Sequence, residues 1–142
     1  MTVRKRESAF YQQMKTGSKT STRKLLFTRI ESTAVAGVPD LLIADESGNY
    51  HMVELKFIIG NAVNLSPHQV SWLTRHQHTS AWILIKKQKT ELSKSELFLY
   101  PARDAIEVKI TGVKTEPVLH LIQPFNWSEV FQKISPYVDN LA

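Results

Sequence analysis

The 142 residues, 42% of them hydrophobic and 22% charged, have ordinary globular composition, which excludes a chain disordered throughout. No apolar run reaches the length of a membrane span and no secretory leader pattern opens the chain, so the expectation is a protein with no membrane partner, in the cytoplasm. There is no cysteine, which excludes disulfide staples and thiolate zinc sites. The net charge of +5 is unevenly placed. Residues 1–30 carry eight basic side chains against Glu7 alone, while the remaining 112 residues are slightly acidic. That asymmetry suits either a solvated basic tail or a segment that meets a polyanion.

Residues 5–15 read as a helix with Ala9, Phe10 and Met14 as its apolar stripe and Glu7 near the first turn. Glu7 either complements the helix N-terminus and pairs with Arg4 or Lys5, or belongs to a site. Thr16 to Thr22 is small and polar, a loop that is plain surface or lies along a phosphate backbone. Leu25 to Ser32 alternates as a strand, with Phe27, Arg29 and Glu31 on one face and Leu26, Thr28 and Ile30 on the other.

Residues 37–57 read as a β-hairpin. Leu41 to Ala44 is a short apolar run, Glu46-Ser47-Gly48-Asn49 is turn chemistry, and alternation resumes from His51 to Phe57. Met52, Glu54 and Lys56 share one face of the second strand. Asp40, directly after Pro39, then falls opposite the region of Glu54, so two carboxylates and an ammonium converge. Two clustered carboxylates stay ionised only beside a cation. Hard oxygen donors of this kind suit Mg²⁺ or Mn²⁺, which acidify a bound water and polarise a phosphoryl oxygen. A lysine two residues on steers that water or offsets charge at phosphorus. Phosphodiester hydrolysis follows as the leading expectation.

After the hairpin comes a linker, residues 58–64, expected to cross a sheet edge. Ser66 is an N-cap, with Pro67 at the first helical position and Gln69 placed to close a capping box. The helix is expected to run from Pro67 to His78, turning Val70, Leu73 and Trp72 inward. His68, His76 and His78 fit no helical metal-ligand spacing and read as surface histidines. Ala81 to Ile85 reads as a strand buried on both faces, parallel to a hairpin strand. Lys86, Lys87 and Lys89 leave it either as edge-protecting charges or as a second phosphate contact. A strand over 96–100, a short helix over 101–108 and a short strand over 117–122 follow. Asn126 is expected to cap a last helix through a capping box with Glu129. The stripe Trp127, Val130, Phe131 and Ile134 is either core or the interface of a homodimer.

The set Gly37-Val38-Pro39-Asp40 with Glu54-Leu55-Lys56 resembles the PD-(D/E)XK nuclease superfamily, nearest to small VRR-Nuc and Holliday-junction-resolvase types, standalone phage versions included. Glu7, Arg29 to Glu31, and Leu65 to Gln69 with Trp72 support the likeness, which covers residues 5–86. It implies an α/β, restriction-endonuclease-like αβββαβ core over about residues 5–100 of a single nuclease domain, with an extension over 101–142. It also implies action on branched or double-stranded DNA in a bacterial or virus-infected cell. Asp40, Glu54 and the Leu55 carbonyl would then hold Mg²⁺ or Mn²⁺, Lys56 would serve the attacking water, and Glu7 and Gln69 would assist. Arg4, Lys5, Arg6, Lys19, Arg23, Lys24 and Arg29 would track the DNA backbone. Nothing resembles a base-reading helix, so selection by DNA structure is expected over selection by sequence. Two rivals remain: a nuclease fold that binds DNA without cutting it, and a bare Glu54–Lys56 ion pair.

Overall fold

The computed structural model describes residues 3–31 and 34–137, with side chains from residue 5 onward; the Arg4 side chain therefore lies outside the described residues. The chain runs α1 (Val3–Ser18), β1 (Leu25–Arg29), β2 (Leu41–Asp45), β3 (Tyr50–Ile58), α2 (Pro67–Arg75), β4 (Ala81–Lys87), β5 (Glu96–Pro101), α3 (Ala105–Thr111), β6 (Leu119–Ile122) and α4 (Trp127–Ile134). This is a mixed α/β fold. The six strands form one sheet in chain order, and all neighbours are antiparallel except β3 and β4. Those two are parallel because α2 returns the chain across one face of the sheet. Among the described residues no helix is long and apolar enough to cross a membrane.

Strand alternation sorts the core into two layers. Phe10, Tyr11 and Met14 of α1 and Trp127, Val130, Phe131 and Ile134 of α4 pack on Leu41, Ile43, Val53, Leu55 and Leu84. On the other face Leu73 of α2 and Ala105 and Val108 of α3 pack on Ile83, Ile85, Phe98 and Tyr100. β4 is buried on both sides, as its unbroken apolar run requires. The α4 stripe is thus core, and it offers no surface to a second subunit. The stretch after residue 100 is no appendage either, since β6 extends the sheet and α4 covers it.

Several local expectations change. α1 continues through Thr16, Gly17 and Ser18 instead of ending at a loop. Gly17 costs a helix about 1 kcal/mol, but a Cβ there would overlap the Trp127 indole, so glycine is what lets α1 and α4 touch. The linker after β3 crosses no sheet edge, because β4 lies directly beside β3 in the interior. For the same reason Lys86 and Lys87 are not edge guards. α2 stops three residues short of His78. There the His76 ring stacks on Trp72 at 3.7 Å and its Nδ1 lies 2.7 Å from the Trp72 carbonyl oxygen, which completes the helix end. At Asn126 no side-chain cap forms, and the backbone amide of Glu129 bonds the Asn126 carbonyl instead (3.1 Å).

Arg23 departs furthest from its expected place on a DNA track. It is buried, with Nη2 donating to Ser135 Oγ (2.6 Å) and lying 3.3 Å from Asp45 Oδ2, and Nη1 donating to Glu46 (2.9 Å). Asp45 Oδ2 also meets His51 Nε2 (2.8 Å) and accepts from Ser135 Oγ (2.7 Å), while Oδ1 takes the Ser47 and Asn49 amides of the hairpin turn. Burial alone would raise the Asp45 carboxyl, but the bonds from Ser135, His51, Asn49 and Ser47 hold it well below the usual carboxylate range. The cluster ties the hairpin turn to the segment just before β1 and to the C-terminal end of α4. Arg23→Ala leaves Asp45 buried without its guanidinium and is expected to cost about 3 kcal/mol. Urea unfolding checks this; a loss below about 1 kcal/mol would mean the network carries little of the fold.

Candidate active site

Asp40 stands at the mouth of β2, and the pairing of Leu41 with Val53 sets it beside Glu54 one step further along the ladder. Its approach is shaped by Gly37, whose φ of +87° favours glycine. A Cβ on Gly37 would also overlap the His68 carbonyl in the first turn of α2, so the Gly37–Asp40 segment packs closely on that turn. Pro39 is buried behind Asp40. The same alternation that places Val53 and Leu55 in one core layer turns Glu54 and Lys56 to the other face, under α2.

Gln69 organises the pair. Its Oε1 accepts from the Ser66 backbone amide (2.9 Å) and from Lys56 Nζ (3.2 Å), and its Nε2 donates to Glu54 Oε2 (3.2 Å). The Ser66 hydroxyl in turn accepts from the Gln69 amide (3.1 Å). One side chain closes the capping box and bridges Glu54 and Lys56. A flipped amide would set its NH₂ against two donors, which fixes the orientation. Lys56 Nζ lies 3.6 Å from Glu54 Oε2, with both side chains largely shielded.

Glu54 is only 2% exposed, and among the described residues its Oε1 has no hydrogen-bond donor. Its carboxyl is pushed up to about 9 by burial first and then by the Asp40 carboxylate, against the pull of Lys56. A hydrogen bond shared with Asp40, which needs a proton on one of the two carboxyls, adds to the rise, as does Glu7. The Glu7 carboxyl is itself raised, by burial above all and by Asp40, with Lys56 and Arg29 opposing. Two acids are therefore forced together in a dry place with one oxygen unsatisfied. Leu55 lies two residues past the last β2–β3 pair, where the ladder with β2 has ended.

The chain matches no protein-family model, no curated protein and no solved structure.

Of the site residues expected from sequence, Asp40, Glu54, Lys56 and Gln69 are brought together. Glu7 comes from α1, on the opposite face, and reaches the group around the strand ends, where it shares a cleft with Lys56, Arg6 and Asn64. Among the described residues no three Asp, Glu or His side chains stand at metal-ligand spacing, so Glu7 joins the pair at longer range. Arg29 is at the site end of β1, its guanidinium 4.9 Å from the Tyr11 ring and Nη1 3.4 Å from Ser8 Oγ. Arg6 lies over Phe57 at 5.3 Å, and Lys5 is exposed one residue earlier. Lys19 and Lys24 are exposed but lie toward the hairpin-turn end, since Leu25 pairs with Asp45. At about 3.3 Å per residue that end is roughly 16 Å from Asp40. Sequence reading missed Asn64 as a lining residue, and no local pattern marks it.

Proposed function

We propose that this protein is a divalent-cation-dependent endonuclease that hydrolyses DNA phosphodiester bonds in branched or junction DNA, on a restriction-endonuclease-like core. It would act in the cytoplasm of a bacterial or virus-infected cell. The αβββαβ order of its first six elements supports the reading. The observation that carries it is the buried Glu54 carboxyl pressed against Asp40; Glu54 Oε1 has no donor among the described residues beyond a proton the two acids can share. A buried acid pair that one lysine offsets only in part is costly in a fold that needs it only for stability.

The donors fit a hard cation. Asp40, Glu54 and the Leu55 carbonyl would hold Mg²⁺ or Mn²⁺, which when bound supplies an acidified water and a polarised phosphoryl oxygen. Gln69 keeps Glu54 Oε2 turned toward Lys56 and leaves Oε1 available. Glu54 must shed its proton to become a ligand, so ion affinity rises with pH. Lys56 Nζ spends one hydrogen bond on Gln69 and has others with which to orient a water or offset charge on the phosphoryl oxygens. Glu7 faces the same cleft and would help to keep that region attractive to the cation.

Labelled duplex, flap, splayed-arm and four-way DNA incubated with Mg²⁺ or Mn²⁺ tests the proposal. Cleavage of the branched substrates, abolished by EDTA, is expected. If no substrate is cut with either ion while DNA is still retarded in a gel, the protein is a binder and the enzymatic reading fails.

A further inference from the structure

Two clefts meet at the carboxyl ends of β3 and β4. One holds about 260 Å³ and its lining includes Glu7, Lys56 and Asn64; the other holds about 280 Å³ and its lining includes Lys86, Lys89, Thr90 and Glu91. Arg6, Phe57 and Ile59 border both, so the two form one path. Lys56 pairs in register with Ile85, which places Lys86 one step further on the neighbouring strand and on the opposite face. The path therefore starts at the catalytic lysine on one side of the sheet, turns over the strand ends beside Arg6, and finishes at Lys86 and Lys89 on the other.

Its charge is basic on balance, with Arg6, Lys56, Lys86 and Lys89 against Glu7 and Glu91. Lys86 Nζ donates to the neutral Gln13 Oε1 (2.7 Å), and among the described residues it has no carboxylate partner. Burial draws its ammonium downward, as expected of a cation held partly dry with nothing to neutralise it. Lys89 is exposed at the far end. Each cleft falls just short of the roughly 300–1,000 Å³ of a small-molecule pocket, a size that suits one nucleotide unit of an extended strand. Basic side chains along a narrow path with an aromatic ring at its bend are what a single strand requires.

We infer that a single strand of nucleic acid leaves the reacting phosphate at Lys56, passes Arg6 and Phe57, and is gripped through its phosphates by Lys86 and Lys89. This rests on the endonuclease reading and deepens it: the favoured substrate carries an unpaired arm at the cut. Duplex DNA alone would leave the path empty.

Binding of a fluorescent 20-nucleotide oligothymidylate and of a duplex of equal length, followed by anisotropy in EDTA across a salt series, tests it. Lys86→Gln with Lys89→Gln is expected to weaken single-strand binding roughly tenfold and to lower the log–log salt slope by about 0.7 for each lost contact. Duplex binding should not move, and Lys133→Gln, on α4, should change neither. Lys89→Gln alone, at an exposed position, guards against a folding artefact and should give about half the slope change. Unchanged single-strand affinity and slope, or equal weakening of the duplex, overturns the inference. Hydrolysis of bis(4-nitrophenyl) phosphate separates the two claims. A wild type that cleaves this small diester while the variants bind single strands normally keeps the endonuclease and loses the path. A wild type that cleaves nothing while the variants lose single-strand binding does the reverse.

Discussion

Asp40→Asn is expected to lower divalent-ion-dependent cleavage by at least about 10²-fold while leaving the melting temperature of the cation-free protein unchanged or higher. The two effects part because in the empty site Glu54 keeps its proton and residue 40 need only accept a hydrogen bond from it, whereas the cation needs a carboxylate. The Asp40 charge is the second largest cause of the raised Glu54 carboxyl, after burial. An asparagine at position 40 still accepts that proton's hydrogen bond through its amide oxygen, and the backbone of β2 that positions residue 40 stays paired through Leu41. Lys56→Ala should cut turnover by about 10²–10⁴-fold. Its stability effect should be small, because Gln69 keeps its bonds to Ser66 and Glu54. Substrate time courses and thermal melts on the same preparations check both variants. Full activity in Asp40→Asn removes it from the chemistry, and melting far below wild type makes its role structural. A bare ion pair between Glu54 and Lys56 would show the opposite pattern, a modest stability loss with no activity to lose.

The cation-free protein should also lose stability as pH rises from about 4.5 to about 9. The sign follows from Glu54. Its folded carboxyl is raised from 4.5 to about 9, so across that window the folded state holds a proton that the unfolded state has released. The stabilisation is complete below the unfolded value and is removed as pH climbs, at up to roughly 1.4 kcal/mol per pH unit. Glu7, also raised, acts in the same direction. Mn²⁺ or Mg²⁺ should reverse the trend, since the ion takes the place of the proton and binds better as pH increases. Urea unfolding at pH 5, 7 and 8.5, with EDTA or with excess divalent ion, gives the comparison. A flat profile without the ion would mean that Glu54 keeps no proton across this window, and no stabilisation by the ion at pH 8.5 would mean that the two carboxyls do not share one cation. Asp45 works at the other extreme: its lowered carboxyl stabilises the fold above about 3.8 and that contribution fades as acid is added.

Much of the site was legible because it depends on short-range rules. Alternation along a strand put Glu54 and Lys56 on one face, the Ser47-Gly48 turn set the register that brings Asp40 beside Glu54, and Ser66-Pro67 announced the helix that carries Gln69. Cation placement was not legible. Eight basic residues crowd the first thirty, yet Arg23 is buried against Asp45 and Lys19 and Lys24 lie away from the acids, whereas Lys86, from the middle of the chain, borders the path next to Lys56. A charge count records abundance along the chain and says nothing of direction in space.

What the amino-acid order determined by itself is most of the elements and the convergence of Asp40, Glu54 and Lys56 on one hairpin, since periodicity, turn chemistry and capping act over a few residues. The contacts of Gln69 with Glu54 and Lys56, in contrast, form only when α2 folds back over β3. Only the tertiary structure decided that Glu54 is dry enough to hold a proton near pH 9, that Ser135 closes on Arg23 and Asp45, and that Arg6 bridges two clefts. Each of those depends on burial or on contacts between segments far apart in sequence. Desolvation and long-range packing come into being only when the layers close, and leave no periodic trace in the chain.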